Sequence, residues 1–241
     1  MNLDAVIKGL QREVVRSASR RWRNPKDGRE MLAIPSGHPT LGLDDQPVEM
    51  AAFSMSRHPV TNAEYHRFVQ DSGYTPTVAH PSPERYLSHW SQMGPPQSLQ
   101  NHPVVFVSWH DAAAYCAWAE LTLPTERMWE YAARGSDGRR YPWGSARPTP
   151  QRAQIHRKST AAVGSFPTIR TAFGCEDMIG NISEWCQPGA VERPAGQTGI
   201  RGSAFMRIQG GRMTCAHNRG LSMTRRNHWT GFRPASTKTG V

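Results

Sequence analysis

The spacing of apolar residues predicts an amphipathic helix near the start of the chain. Five apolar residues recur every three or four positions within residues 3–16: Leu3, Val6, Ile7, Leu10 and Val14. Charged and polar side chains occupy the opposite side. A helix this short is marginal in water by itself. We therefore expect it to pack on the body of the protein or to hold the chain in an oligomer or complex.

Three further helices are predicted over residues 61–73, 108–118 and 124–135. Thr61 and Glu64 have the spacing of a capping box, in which each side chain bonds the backbone of the other. The other two helices also start with Ser or Thr followed by an acidic residue, and the first and third end at glycine. These local signals place the helices without reference to the rest of the chain.

Outside the helices the pattern favours short strands and loops. Apolar pieces alternate with Pro and Gly from Met31 to Phe53, and residues 75–103 are rich in proline without a sustained period. The sequence therefore predicts an α+β protein, loop-rich, with short antiparallel strands and few helices. We expect a linker at residues 19–28, an N-terminal helix and linker over 1–30, and one domain over 31–241.

Composition narrows the class of protein. The 241 residues include 37% hydrophobic residues, 21 Gly, 19 Pro and 8 Trp, which is typical of a globular protein rich in loops. No apolar run is long enough for a membrane span, and the first 30 residues lack the apolar centre of a secretory signal. We expect a cytoplasmic protein without a membrane partner. The four cysteines lack metal-site or disulfide spacing, so we expect free thiols.

The chain carries a formal net charge of +10, and its arginines concentrate at residues 12–29, 134–158 and 201–233. A basic surface attracts polyanions, but no nucleic-acid-binding motif accompanies it. The sequence therefore favours a solvated basic face or an acidic protein partner over specific binding of nucleic acid.

Residues 174–185 have the composition of a metal-binding loop. Asp177, Glu184 and the backbone oxygens near Gly180 and Ile182 alternate along a segment without helical or strand periodicity. Oxygen ligands of this kind suit calcium. The alternative is a turn in which the two carboxylates cap backbone amides.

Six short motifs follow one another along the chain. They occupy residues 58–65 (HPVTNAEY), 102–109 (HPVVFVSW), 123–135 (LPTERMWEYAARG), 141–144 (YPWG), 177–181 (DMIGN) and 231–233 (GFR). In this order they resemble the formylglycine-generating enzyme (sulfatase-modifying factor) family across about residues 31–235. The resemblance implies the family's variant of the C-type lectin fold. As large apolar side chains, Trp109, Trp129, Trp143 and Trp185 are expected to anchor a loop-rich core.

The resemblance makes the family's copper chemistry doubtful for this chain. Family members that oxidise a cysteine are expected to hold copper(I) with a cysteine pair, which should fall near Arg212 and His217. Neither residue is cysteine, and Cys215 is alone in that stretch. We therefore favour a non-catalytic protein over an enzyme.

Calcium is the cofactor that the resemblance implies most directly. Family members are expected to bind it at the positions matching Asp177, Gly180, Ile182 and Glu184, and the side-chain oxygens required are all present. A second family site lacks its acidic residue, since Ala153-Gln154-Ile155 is followed by basic residues. The sequence thus predicts one structural calcium ion.

An enzyme remains the alternative. The chain also resembles the C-terminal half of the sulfoxide synthases that make ergothioneine, without their N-terminal iron-binding domain. Cys215, His217 and His228 could hold copper or iron, because thiolate and imidazole suit both metals. In that case the protein is a metal-dependent oxidoreductase with an unknown substrate.

The favoured hypothesis is a binding module that presents residues 201–233 to a protein or small-molecule ligand. The variable proteins of diversity-generating retroelements use this fold in that way, so the surface could be diversified. Planar donors and a large aromatic residue are enriched at binding hot spots. An ordinary basic loop is the plainer alternative. The candidate contact residues are Arg207, Arg212, His217, Asn218, Arg225, Arg226, Asn227, His228 and Trp229.

Overall fold

The structure is a computed structural model that describes residues 21–76, 85–189, 191–206 and 213–239. Its α-helices are α1 (Asn62–Ser72), α2 (Trp109–Trp118) and α3 (Glu126–Arg134), and a short 3-10 helix covers Gln97–Leu99. The three helices predicted after residue 60 are therefore confirmed. The helix predicted over residues 3–16 lies outside the described residues.

Each of the three helices begins at a residue whose side chain caps it. The Thr61 hydroxyl accepts from the backbone N–H of Glu64, whose carboxylate accepts from the Thr61 N–H at 2.8 Å. Ser108 and Asp111 form the same reciprocal pair at α2, and Thr125 caps α3. These bonds satisfy backbone donors that a helix leaves free at its first turn. The boundaries thus follow from local sequence.

The strands form two four-stranded sheets and a two-stranded ribbon. The strands are β1 (Arg21–Arg23), β2 (Glu30–Ile34), β3 (Thr40–Leu41), β4 (Gln46–Pro47), β5 (Phe53–Ser56), β6 (Ser183–Trp185), β7 (Gln197–Arg201), β8 (Asn218–Ser222), β9 (Thr230–Gly231) and β10 (Ala235–Ser236). The first sheet has the order β1-β2-β5-β10, the second β8-β7-β6-β9, and β3 pairs with β4.

This arrangement confirms the predicted α+β class with short strands, few helices and long ordered loops. All strand pairs are antiparallel except β6 with β9, which is parallel. Helix α3 packs against β7 of the second sheet. None of the helices in the described ranges has the length and apolar character that crossing a membrane requires.

The linker predicted at residues 19–28 is corrected from Arg21 onward. Residues 21–23 form β1, which pairs with β2 in the register Trp22↔Met31. The indole N–H of Trp22 donates to the Ser54 hydroxyl at 3.0 Å, and Asn24 donates to the backbone carbonyl of Ala119. Composition favoured a linker because Arg, Pro and Gly dominate this stretch, but these long-range bonds tie it to the domain.

Two hydrophobic clusters form the core, one on each side of the first sheet's central strands. Trp129 and Trp185 are fully buried, which confirms them as core anchors. Trp109 and Trp143 are only partly buried and pack at the edges of the two clusters. The candidate surface lies at the edge of the second sheet, on β8 and the loop that follows it.

Candidate functional site

The C-terminal surface is built from β8 and the loop 223–229 that follows it. The loop is anchored at both ends. The backbone N–H of Trp109, the first residue of α2, donates to the Met223 carbonyl at 3.0 Å, and the N–H of Phe106 donates to the Asn227 carbonyl at 2.8 Å. Helix α2 and the segment before it thus hold the loop in place.

Arg226 and Asn227 lie beneath this surface, which corrects their prediction as contact residues. Arg226 is 2% exposed and forms an ion pair with Asp111, with an Nε to Oδ2 distance of 2.8 Å. Its guanidinium also lies over the ring of Tyr86. Asn227 is 3% exposed, and its side-chain oxygen accepts from the N–H of Trp229. Both residues shape the loop from inside because their partners lie on it or on α2.

Arg225 and His228 are exposed, as the prediction requires. Trp229 is half-buried, and the guanidinium of exposed Arg219 lies 4.5 Å from the centre of its ring. Arg219 was missed because its importance comes from stacking on a residue ten positions away. The Arg219 guanidinium and the Trp229 ring thus form a cation–π pair, and Arg and Trp side chains are common at binding surfaces.

The other predicted contact residues are less exposed or not described. Asn218 is half-buried and accepts from Arg193 at 2.9 Å, and His217 is also half-buried. Arg207 and Arg212 lie outside the described residues. The structure therefore brings Arg219, Arg225, His228 and Trp229 together as the outward part of the site.

A cluster of aromatic and histidine rings borders this surface. The Phe106 ring centre lies 5.3 Å from that of His89 and 6.3 Å from that of His228, and Phe205 lies 6.0 Å from His228. Phe106 has φ 58°, a left-handed conformation that is unusual for a bulky residue and common at functional sites. Burial lowers the pKa of His89 to about 4, so its ring is neutral at pH 7.

Two buried polar atoms near this cluster lack a hydrogen-bond partner among the described residues. They are Nδ1 of His89 and Nδ2 of Asn227. A buried polar atom without a partner costs about 1–3 kcal/mol, so native structures retain few of them. His89 could not be found from sequence because it lies in the proline-rich segment without periodicity.

The charges of the C-terminal segment are one-sided. From Arg193 to the end, the chain has nine Lys and Arg residues and no Asp or Glu. Several arginines of this segment pair with carboxylates from earlier segments. They are the buried Arg201, Arg226 and Arg233, which pair with Glu126, Asp111 and Glu184, and the half-buried Arg193, which also pairs with Glu126. Arg219 and Arg225 are the exposed arginines among the described residues of this segment.

The predicted calcium loop binds protein groups in this structure. Asp177 has φ 58°, and its Oδ2 accepts from the Gly164 N–H at 2.8 Å. Burial raises the pKa of its carboxyl group. Asn181 exchanges two hydrogen bonds with the backbone of Ala161. The loop thereby fastens the segment around residues 161–164 to the second sheet.

Glu184 does not fit the role of a calcium ligand. It is fully buried, and its two oxygens accept from Arg233 at 2.7 and 2.8 Å and from the Trp129 indole at 2.7 Å. A cation at this carboxylate would have to displace a buried guanidinium. Asp177 and the backbone oxygens of Gly180 and Ile182 are the remaining predicted ligands. A calcium ion at this loop stays a prediction.

The cysteines do not fit a thiolate site. Cys116, Cys175, Cys186 and Cys215 are all free and buried. Burial raises the pKa of each thiol, that of Cys175 to about 11. Cys215 lies in a hydrophobic cluster whereas His228 is exposed. No three His, Cys, Asp or Glu side chains gather into a metal-binding group in the described ranges, which include Cys215, His217 and His228.

We expect the native thiols to resist alkylation. Because only the thiolate reacts and all four thiols are buried with raised pKa values, iodoacetamide at pH 8 should leave the folded protein unlabelled. In denaturant, mass spectrometry should show four additions. Rapid labelling of Cys215 in the native protein would contradict this and would make that thiol available for chemistry.

A single family domain matches almost the whole chain. The Sulfatase-modifying factor enzyme 1-like domain matches residues 17–238. The hercynine oxygenase of Mycobacterium tuberculosis is 34% identical over 185 residues, covering 64% of this chain and 43% of the relative. The formylglycine-generating enzyme of Thermomonospora curvata is 30% identical over 245 residues, covering 75% of this chain and 80% of the relative.

Several of the curated relatives are longer than this chain. The chain spans about half the length of those matched most strongly, for example 57% of the formylglycine-generating enzyme of Mus musculus. Among solved structures, PvdO from Pseudomonas aeruginosa has a TM-score of 0.71 at 22% identity, covering 91% of this chain and 98% of its own. Treponema denticola variable protein 1 has a TM-score of 0.66 at 17% identity, covering 91% and 99%. These two similarities establish the fold alone.

Proposed function

Because the chain belongs to the sulfatase-modifying factor enzyme 1-like family but lacks paired thiolates, we propose that it is a non-catalytic binding module. It recognises a protein or small-molecule ligand through residues 201–233. The outward groups of this surface are Arg219, Arg225, His228 and Trp229.

The observation that carries this proposal is the division of the arginines in the C-terminal segment. Arg201, Arg226 and Arg233 are buried in ion pairs, whereas Arg219 and Arg225 are exposed beside an aromatic ring and an imidazole. Guanidinium groups bind carboxylates well, and Arg and aromatic side chains are enriched at binding surfaces. A ligand with acidic groups would fit the charge of this surface.

The ring cluster supports the same reading. Phe106 keeps a strained backbone conformation while its ring lies between His89 and His228. Nδ2 of Asn227, which has no hydrogen-bond partner among the residues that the structure describes, is a further buried donor in the same loop. Strain and unsatisfied polar groups are retained when they serve recognition or chemistry. These features support the proposal that a ligand binds at this surface.

Diversification of residues 201–233 by a retroelement is the finer part of this proposal. It is supported by a fold shared with a variable protein. A near-copy of this gene segment beside a reverse transcriptase gene would establish it. A solitary gene would remove diversification and leave the binding module.

We expect the double variant His228→Ala with Arg225→Ala to lose binding. Heptapeptides selected from a random display library against the wild-type protein provide the probe. Both side chains are exposed, so their removal should leave folding intact and weaken binding at least tenfold. Affinity is measured by isothermal titration. The matched control Arg85→Ala with Arg147→Ala removes two exposed arginines from other surfaces and should keep full affinity.

Equal binding by the double variant and the wild type would place recognition elsewhere and refute the proposal. The second candidate function is a metal-dependent oxidoreductase, favoured by relatives named as formylglycine-generating enzymes and hercynine oxygenases. Titration with Cu(I) and Fe(II), followed by oxygen uptake with cysteine-containing peptides, distinguishes the two. Tight metal binding with turnover would support the enzyme.

A further inference from the structure

The edge strand β8 is the last strand of the second sheet, in the order β8-β7-β6-β9. It pairs with β7 along its full length, from Arg201↔Asn218 to Gln197↔Ser222. Its other side has no strand among the described residues. An edge strand presents unpaired N–H and C=O groups that can bond another chain.

The register identifies which residues of β8 point these groups outward. In an antiparallel pair, residues alternate between those bonded to the partner and those whose backbone faces away. The bond from the Met223 N–H to the Gly196 carbonyl, 2.8 Å, extends the β7–β8 register and marks position 223 as bonded to β7. Positions 221 and 219 are therefore bonded as well.

The pairing of β7 with β6 leads independently to the same assignment of inward and outward residues in β8. The Cys186 N–H donates to the Gly199 carbonyl at 3.0 Å, which turns the backbone of Gly199 toward β6. The next residue, Ile200, consequently faces β8 and pairs with Arg219. It follows that Asn218, Gly220 and Ser222 direct their N–H and C=O groups to the free edge.

Most of these outward groups are available. The Ser222 carbonyl accepts from the Arg225 N–H at 2.9 Å, and the other outward groups have no backbone partner among the described residues. At the other end of the sheet, the Val60 N–H donates to the carbonyl of Phe232, the residue that follows β9, at 2.9 Å. The free edge thus offers three donors and two acceptors at strand spacing.

We propose that β8 binds an extended acidic peptide segment of a partner protein as an additional antiparallel strand. This inference rests on the proposed function, since it names the partner of the same surface. Main-chain bonds to an exposed edge are a general mode of peptide recognition, with side chains giving specificity. Donors and acceptors that alternate at strand spacing match another backbone better than they match a small molecule.

The side chains of β8 indicate an acidic and apolar pattern in the partner. Because positions 218, 220 and 222 would exchange the bonds, Arg219 and Leu221 would face non-hydrogen-bonded partners, whose Cα atoms lie about 4.5 Å away. The stacking of Arg219 on Trp229 holds its guanidinium on this face of the sheet. Leu221 packs on the same cluster as Trp229. A carboxylate opposite Arg219 and an apolar residue opposite Leu221 fit this order.

The test uses two display libraries of heptapeptides, one with glutamate and one with lysine at every second position. We expect binders only from the glutamate library. The best binder is then synthesised with and without N-methyl groups on alternate amides. Methylation of the amides that face β8 should weaken binding at least tenfold, and methylation of the others should have little effect. Binding should slow hydrogen exchange at Gly220 and Ser222.

On the protein, Ser222→Pro removes one outward N–H from an exposed position, and Ser222→Ala is its matched control. Proline is tolerated on an edge strand when its missing N–H faces solvent. We expect a loss of at least fivefold for Ser222→Pro and none for Ser222→Ala. If Ser222→Pro does not fold, the methylated peptides decide the question alone.

The outcomes separate this inference from the proposed function. Selected peptides could lose affinity for the His228→Ala and Arg225→Ala variant but bind equally well to Ser222→Pro and after methylation. That outcome would overturn strand addition and leave the proposed binding module in place. Binders indifferent to every C-terminal variant would overturn both. Selection from the lysine library alone, no selection at all, or tighter capture of a single-stranded oligonucleotide that ignores Ser222→Pro would also overturn the inference.

Discussion

Glu184→Gln is expected to lower the free energy of unfolding by about 3–5 kcal/mol, because it leaves a buried guanidinium without its counter-charge. Arg233 and Glu184 are both fully buried, and two of the guanidinium nitrogens bond the carboxylate at 2.7 and 2.8 Å. Glutamine retains the size of the side chain and one acceptor for the Trp129 indole. The decrease in the free energy of unfolding therefore results from the lost charge and not from a cavity.

Urea denaturation followed by tryptophan fluorescence measures this loss. Running it with excess EDTA and again with calcium tests the predicted metal loop. We expect the same difference between variant and wild type in both conditions, because Glu184 is committed to Arg233. A cost that appears only with calcium would show that Glu184 is a ligand after all. If the wild-type protein melts at the same temperature with and without EDTA, no calcium ion stabilises this loop.

A surface ion pair provides the control. Asp137 pairs with Arg139 at 2.7 Å, but its side chain is 57% exposed. Ion pairs in contact with water contribute at most about 1 kcal/mol. Asp137→Asn should therefore leave the unfolding midpoint nearly unchanged. If both variants cost the same, burial does not determine the strength of the Glu184 pair.

The helices could be predicted from sequence because the signals that define them are local. Thr61 and Ser108 each lie three residues before the acidic side chain that completes the cap. The same local logic was wrong at residues 21–28, where composition indicated a linker. Trp22 bonds Ser54, 32 positions away, and no local pattern contains that information.

The candidate site was only partly predictable for the same reason. Arg225 and Arg226 are adjacent and identical in type, yet one is exposed and the other pairs with Asp111, 115 positions earlier. Sequence could place both in a basic segment but could not tell which had a buried partner. His89 and Arg219 became part of the site only through ring contacts with Phe106 and Trp229.

The free edge of β8 shows what structure adds to sequence. Its phase depends on two backbone bonds, at Met223 and Cys186, which fix the register across three strands. A shift by one residue would turn Arg219 to the other face and reverse every outward group. The proposed strand addition therefore depends on register, which the sequence of β8 does not specify.

Gly231→Ala is expected to destabilise the protein by about 3 kcal/mol, because the new methyl group would overlap backbone atoms that cannot move aside. A Cβ at Gly231 would lie closer to the Val104 carbonyl than real Cβ atoms come, and 2.8 Å from Cδ1 of Ile182. The segment beyond Val104 carries Phe106, whose N–H bonds the loop 223–229. Strain at β9 should therefore also loosen the candidate surface.

Gly220→Ala is the matched control, since it makes the same substitution in the same sheet. Its Cβ would meet only the ends of the Gln197 and Arg193 side chains, at 2.8 and 3.2 Å. Such ends can shift, so we expect a change within about 1 kcal/mol. Urea denaturation compares the two variants, and hydrogen exchange at Phe106 reports the loop. Equal stability of Gly231→Ala and Gly220→Ala would mean that β9 is not held against Val104.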